Sequence, residues 1–219
     1  MIHAYDKIYV DHARKTLARM LDYMVNDMNY KLSEAFHMFI SSGYAKLFSK
    51  GDPSVIVGKS GVEIAYDILR NYNIELKTPT FTMDRSEEYW IGWSLAYYQW
   101  YSDRSFTDII NTISIDEIQS MYSPYHEMDI QHFVNHMESL FKERVKDTNL
   151  KRRRLKLNMT QKELAEESNI PLRTIQQYEQ RQKDINKAQV IYLYQMSKVL
   201  YCDIEDLLEK YMIETGCSN

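Results

Sequence analysis

Apolar residues recur along this chain at three- and four-residue steps, with no sustained every-second-residue alternation, so the pattern predicts an all-α protein. Val10, Ala13, Leu17, Met20, Leu21, Met24 and Met28 define a first amphipathic helix, and a second is expected from about Ser33 to Ser49. Asp52-Pro53 marks a turn and a helix start, since proline is tolerated where the first helical N–H has no partner to lose. Ser60 and Glu63 have the spacing of a capping box that opens a helix through about Arg70, and Ser114 with Glu117 repeats the device. Between them, EEYWIGWSLAYYQWYSDRSF crowds Trp90, Trp93, Ala96, Tyr97, Trp100 and Tyr101 onto one helix. So much aromatic surface must be buried against something. A last helix of this stretch, about Met128 to Arg144, sets Ile130, Phe133, Val134, Met137 and Phe141 on one face.

The short segment KDTN, residues 146–149, is the one plausible boundary, giving an all-helical domain over 1–145 and a second domain over 146–219. In the second, Thr160 and Glu163 form another capping box, so a helix starts at Gln161 and buries Leu164 and Ala165. Ser168-Asn169 ends it, because asparagine tolerates the left-handed backbone that a helix stop requires. Pro171 restarts the chain. From Leu172 to Gln180, Ile175 and Tyr178 face inward and leave Leu172, Arg173, Thr174, Gln176 and Gln177 toward solvent. Two more helices, about Ala188 to Leu200 and Ile204 to Met212, carry Val190, Leu193, Met196, Val199, Leu200, Leu207 and Leu208, all expected in the core.

Charge separates the two halves. Residues 1–140 hold 12 Lys/Arg against 19 Asp/Glu, a net −7, whereas residues 141–219 hold 15 against 12, a net +3. The run Lys151-Arg152-Arg153-Arg154 lies at the centre of the basic half. Alone, such a run is equally a solvated face or a phosphate-binding patch.

The order T-Q-x-E-L-A over 160–165, a turn, and I-x-x-Y-E over 175–179 resembles the Cro/lambda-repressor (Xre) family of helix-turn-helix domains, between about Lys146 and Glu209. The resemblance implies a five-helix lambda-repressor-like DNA-binding domain whose second motif helix enters the major groove. Leu172, Arg173, Gln176 and Gln177 then occupy base-reading positions: arginine pairs bidentately with guanine, glutamine with adenine, and leucine touches a thymine methyl. For the two glutamines, plain solvation is an equal alternative. Thr160, Gln161, Thr174, Arg181, Lys183, Asn186 and Lys187 take phosphate-binding positions, and Arg154 with Glu179 an ion pair that holds the fold. Pro171 departs from the family, which usually has a Ser or Thr cap there, and the loop from Gln180 to Gln189 is longer than usual.

Catalytic and metal motifs fail on inspection. Gly58-Lys59-Ser60 resembles the end of a phosphate-binding loop, but the first glycine of that pattern would fall at residue 53, which is proline. His132 and His136 sit four apart on a helix, yet HFVNH lacks the glutamate of a zinc-protease motif. Cys202 and Cys217 read as reduced thiols, without metal spacing. The expectation is therefore a non-enzyme with no cofactor and no metal. MIHAYDKIYV lacks a basic stretch followed by an apolar run, and no segment is apolar enough to cross a bilayer, so a cytoplasmic protein with no membrane partner is expected.

The partners implied are a palindromic double-stranded operator and a second copy of the chain in a homodimer. The layout also resembles antitoxins that carry an Xre domain and repress their own operon, which implies a toxin bound by the N-terminal domain. A ligand-sensing or phage-type regulator with no toxin partner is the alternative. Trp90, Trp93, Tyr97, Trp100 and Tyr101 are the candidate partner or ligand surface, set against the simpler reading of aromatic residues at helical spacing as core.

Overall fold

The computed structural model describes residues 3–80 and 85–209. Regular structure among them is helical throughout, with fourteen α-helices. The chain divides into two compact units, Met1–Phe141 and Lys142–Asn219.

The first unit is organised around α1 (Val10–Asp22). Its last turn widens into a π turn, Tyr23–Asp27, where the Met28 N–H donates to the Tyr23 carbonyl at 3.0 Å. α2 (Leu32–Ser41) and α3 (Tyr44–Ser49) replace the single helix expected from Ser33 to Ser49. The break is at Gly43, whose φ of 84° lies in the left-handed region that glycine enters at no steric cost. The short α4 (Pro53–Ile56) follows, with Asp52 as its cap. α5 (Gly61–Arg70) and α6 (Glu87–Ser102) pack on α1, and two glycines permit it. A Cβ at Gly92 would stand 2.7 Å from the Ala18 Cα, and one at Gly61 would stand 2.5 Å from the Met20 nitrogen. Backbone meets backbone at both places, so no side chain can yield.

α7 (Phe106–Thr112), α8 (Ile115–Ser120), α9 (Tyr122–Tyr125) and α10 (Ile130–Arg144) complete this part. Phe36, Phe39, Phe48 and Phe106 meet edge to face at centroid separations of 5.4–6.2 Å, joining α2, α3 and α7. A buried polar network ties α6 to α10. Tyr98 donates to Glu138 at 2.8 Å, and Arg104 donates to the Tyr98 hydroxyl at 2.9 Å and pairs with Glu138. Burial pushes the Tyr98 hydroxyl well above its ordinary pKa, which keeps it a neutral donor.

The second unit contains α11 (Asn149–Lys156), α12 (Gln161–Ser168), α13 (Leu172–Glu179) and α14 (Val190–Val199). Its core is small: Leu150, Leu164, Ile175, Tyr178, Ile185, Leu193, Met196, Leu200 and Leu207. Val190 does not join it and is 74% exposed. Leu193, Met196 and Leu200 form the inward seam of α14, while Val190 in its first turn faces out with Ile191 and Tyr194. The helix expected from Ile204 to Met212 begins as a 3-10 turn, Ile204–Leu207. Met212 and Cys217 lie outside the described residues. Among the described residues no helix is long and apolar enough to cross a membrane.

Candidate nucleic-acid interface

α12 starts where local chemistry says it must. The Thr160 hydroxyl accepts from the Glu163 N–H at 3.1 Å, and the Glu163 carboxylate accepts from the Thr160 N–H at 2.7 Å. That bond holds the Glu163 carboxyl below its usual pKa. At the other end Asn169 turns the chain with φ 53° and ψ 38°, and the Ile170 N–H closes onto the Ala165 carbonyl at 3.0 Å. Ile170 is thereby driven into the core at 3% exposure. Pro171 then heads α13 with φ −55° and makes no side-chain cap, so the first N–H groups of α13 lack the acceptor that serine or threonine would supply.

One face of α13 is locked and the other is free. Ile175 and Tyr178 are buried, whereas Leu172 and Arg173 are exposed and Thr174, Gln176 and Gln177 are half-buried. Among the described residues the side chains of Arg173, Gln176 and Gln177 make no hydrogen bond or ion pair. They stand on one exposed stripe of the helix with their donors and acceptors unused.

Glu179, at the end of α13, is the hub that joins three helices. Arg154 of α11 donates from Nε to one carboxylate oxygen at 2.7 Å and from Nη2 to the other at 2.9 Å. Both side chains are nearly out of solvent. Arg154 Nη1 also donates to the Met159 carbonyl at 2.6 Å. Its guanidinium pKa rises above the ordinary value, chiefly through the bond to Glu179. Gln161 of α12 completes the hub by donating from Nε2 to Glu179 at 2.7 Å. An amide nitrogen carries two protons, so Gln161 keeps one donor for an outside acceptor.

Two residues read from sequence as phosphate ligands are instead committed inside the domain. Arg181 adopts φ 55° and donates from Nη1 to the Lys146 carbonyl at 2.6 Å, with Nη2 3.4 Å from Glu209. Asn186 uses both ends of its amide on the Glu209 backbone, donating to its carbonyl at 2.6 Å and accepting from its N–H at 2.8 Å. Both are half-buried and bonded within the domain, Asn186 to Glu209 and Arg181 to Lys146 with Glu209 beside it. The Thr160 hydroxyl is spent on its cap. Lys183 and Lys187 remain exposed.

The basic run on α11 is likewise dissected. Lys151 pairs with Asp147 at 2.7 Å and Arg153 with Asp206 at 2.9 Å, Arg152 bonds Asn149, and Arg154 is buried. Four consecutive cations therefore hold four different places rather than forming one patch.

The aromatic set on α6 also divides. Trp100 is 5% exposed, donates from Nε1 to the Tyr5 carbonyl at 2.8 Å and stacks on His3, so it belongs to the interior rather than to a partner surface. Tyr97 and Tyr101 are half-buried and lie against each other. Trp90 and Trp93 instead line a hollow of about 310 Å³ together with Arg85, Tyr89, Tyr122, Tyr125, His126, Met128 and Ile130. Helical spacing named the two tryptophans. Tyr89 comes from α6 as well and Arg85 from just before it, while Tyr122, Tyr125, His126, Met128 and Ile130 come from α9, the segment after it and the start of α10, far enough along the chain that no periodicity links them to α6.

No curated protein and no solved structure matches the chain. Residues 150–207 do match the model of the helix-turn-helix family. With the capped α12, the left-handed turn at Asn169 and the exposed stripe of α13 already in place, the C-terminal domain is an Xre/lambda-repressor-like helix-turn-helix, the DNA-binding part of a transcription regulator.

Proposed function

We propose that the protein is a sequence-specific repressor that binds a palindromic operator as a homodimer, with α13 in the major groove. The observation that carries this reading is the exposed stripe of α13, where Arg173 and Gln177 keep their hydrogen-bonding groups free while Ile175, Tyr178 and Glu179 anchor the opposite face. A helix held rigidly on one side and unpaired on the other suits base readout, because little ordering is left to be done on binding. Arg173 reads a guanine, Gln177 an adenine, and Leu172 and Gln176 flank them; Thr174 stands beside a phosphate. The remaining phosphate contacts come from Lys183, Lys187 and the spare proton of Gln161. A dimer follows from the same physics: two short recognition helices on half-sites one turn apart multiply affinity and specificity that a single helix cannot reach.

Selection of binding sites from a random duplex pool, followed by titrations of Arg173→Ala, tests the reading. The selected site is expected to be an inverted repeat. Arg173→Ala is expected to cost about 1–3 kcal/mol and relax discrimination at one base pair. An equal loss on all sequences removes Arg173 from base readout. Lys183→Ala is expected to lower the salt dependence by about one ion instead.

For the larger domain two finer readings compete. Toxin binding by a self-regulating antitoxin rests on the layout of the chain, and copurification of a small neighbouring gene product that is toxic alone is its test. Ligand sensing has a structural observation in its favour, the aromatic hollow beside Trp90 and Trp93.

A further inference from the structure

The hollow in the N-terminal domain has the makings of a preformed site. Its volume of about 310 Å³ stands at the lower end of small-molecule pockets, which span roughly 300–1,000 Å³. Six of its walls are rings: Tyr89, Trp90, Trp93, Tyr122, Tyr125 and His126. These rings are fixed from behind. Trp90 meets Tyr122 edge to face at 5.6 Å and Phe133 at 5.4 Å, and Tyr125 stacks on His136 at 5.4 Å. His126 lies flat on Tyr122 at 4.4 Å, and its Nδ1 lies 3.0 Å from each of the Tyr122 and Ser123 carbonyls, which sets the ring plane. Aromatic walls that are held in place without a ligand offer flat π surface at small ordering cost.

The polar groups at this site favour one sign of charge. Arg85 is the only Arg, Lys, Asp or Glu among the described lining residues. A second cation stands behind the wall: the Arg14 guanidinium carbon lies 3.2 Å from the centroid of the Trp93 ring. Arg14 is 8% exposed, and its Nε and Nη2 have no hydrogen-bond partner among the described residues. Burial lowers its pKa to about 10, so it stays charged at neutral pH. Asp11 and Asp129 lie near enough to Arg14 to oppose part of that lowering, and Glu127 stands 3.5 Å from His126 Nε2, but none of the three is among the described lining residues. The hydroxyls of Tyr89, Tyr122 and Tyr125 and the indole N–H groups of Trp90 and Trp93 make no hydrogen bond among the described residues. Rings with unused donors thus line one space, with Arg85 in its lining and Arg14 against the Trp93 ring.

We infer that this hollow binds a small planar aromatic anion, of one or two fused rings bearing a carboxylate, with the ring between the aromatic walls and the carboxylate at Arg85. Quaternary ammonium ligands also seek aromatic cages, but a cage with one cation in its lining and another against its wall repels them.

Calorimetric titration of the full-length chain with 1-naphthoate, its neutral amide 1-naphthamide, and the cation 1-naphthyltrimethylammonium separates these chemistries. One-to-one saturable binding of the naphthoate is expected, with the amide about tenfold weaker and the cation weakest. Arg85→Gln, on an exposed side chain, is expected to erase the preference for carboxylate and leave the amide unchanged. Trp90→Leu is expected to abolish binding of all three; its packing on Phe133 requires a melting curve beside the titration, and Arg85→Gln carries the test where Trp90→Leu unfolds. Absence of saturable naphthoate binding overturns the inference. So does tighter binding of the cation, or an Arg85→Gln protein that keeps its preference for the carboxylate.

Discussion

α6 and α13 are both helices that hydrophobic spacing identifies, yet they are built for opposite ends. α6 is apolar nearly all round, and it is enclosed accordingly, with Ile91, Leu95, Ala96, Tyr98 and Trp100 all buried and Gly92 pressed against α1. α13 has one narrow apolar seam, Ile175 and Tyr178, and the rest of its surface is polar or exposed. The first helix is held by close packing over its length. The second is held by two side chains and by an ion pair at its end, which leaves its other face open. The comparison teaches that a helix with a free face need not be loose: a small contact area suffices when a charged hub fixes the helix end.

The contrast is most directly broken at the hub. Glu179→Ala strands the buried Arg154 guanidinium without its countercharge and is expected to destabilise the C-terminal domain by about 3–5 kcal/mol, read by urea unfolding with hydrogen exchange to localise the loss. Exchange rates unchanged in α11 to α13 show that the pair does not hold α13. Gly92→Ala is the matching insult to α6. Its Cβ would meet the Ala18 backbone, so a loss of about 1–3 kcal/mol is expected, confined to the N-terminal domain and leaving operator affinity per folded molecule unaltered. A neutral effect on the melting curve disposes of the close-approach argument.

Asn169→Ala is expected to cost about 1 kcal/mol, since alanine pays for the left-handed backbone, whereas Asn169→Gly is expected to be neutral or mildly stabilising. Equal effects of the two changes place the cost in the side chain rather than in φ. The smallest effect concerns acid. The Glu63 and Glu163 carboxyls lie below their usual pKa because backbone N–H groups donate to the charged form. Their stabilisation is therefore complete above the unfolded value of about 4.3 and is lost as pH falls through the lower folded value. The melting temperature of Glu163→Gln is expected to fall less between pH 5 and pH 3 than that of the parent chain, in differential scanning calorimetry at both values.

Much of this architecture was legible before any coordinates. The capping boxes at Ser60 and Thr160, the stop at Asn169 and the inward seam of α13 all follow from residues within a few positions of one another. The break at Gly43 is not legible in the sequence, because one glycine inside a helical run does not by itself reveal the positive φ that ends α2 there. Val190 was misplaced for a related reason: periodicity tells which residues share a face but not where the neighbouring element ends.

Sequence alone determined the capped helix starts at Ser60, Ser114 and Thr160, the helix-turn-helix motif and the candidate reading stripe of α13, since each depends on short-range hydrogen bonding and a 3.6-residue repeat. Only the tertiary structure decided which polar residues are free to act. It withdrew Arg181 and Asn186 into the surroundings of Glu209, drew Gln161 into the Arg154–Glu179 hub, dispersed the basic run of α11, and opened the hollow beside Trp90 and Trp93. The physical reason is that a side chain's partners lie far away along the chain, Glu209 for Asn186 and Tyr122 for Trp90, and no local pattern records a contact that folding alone creates.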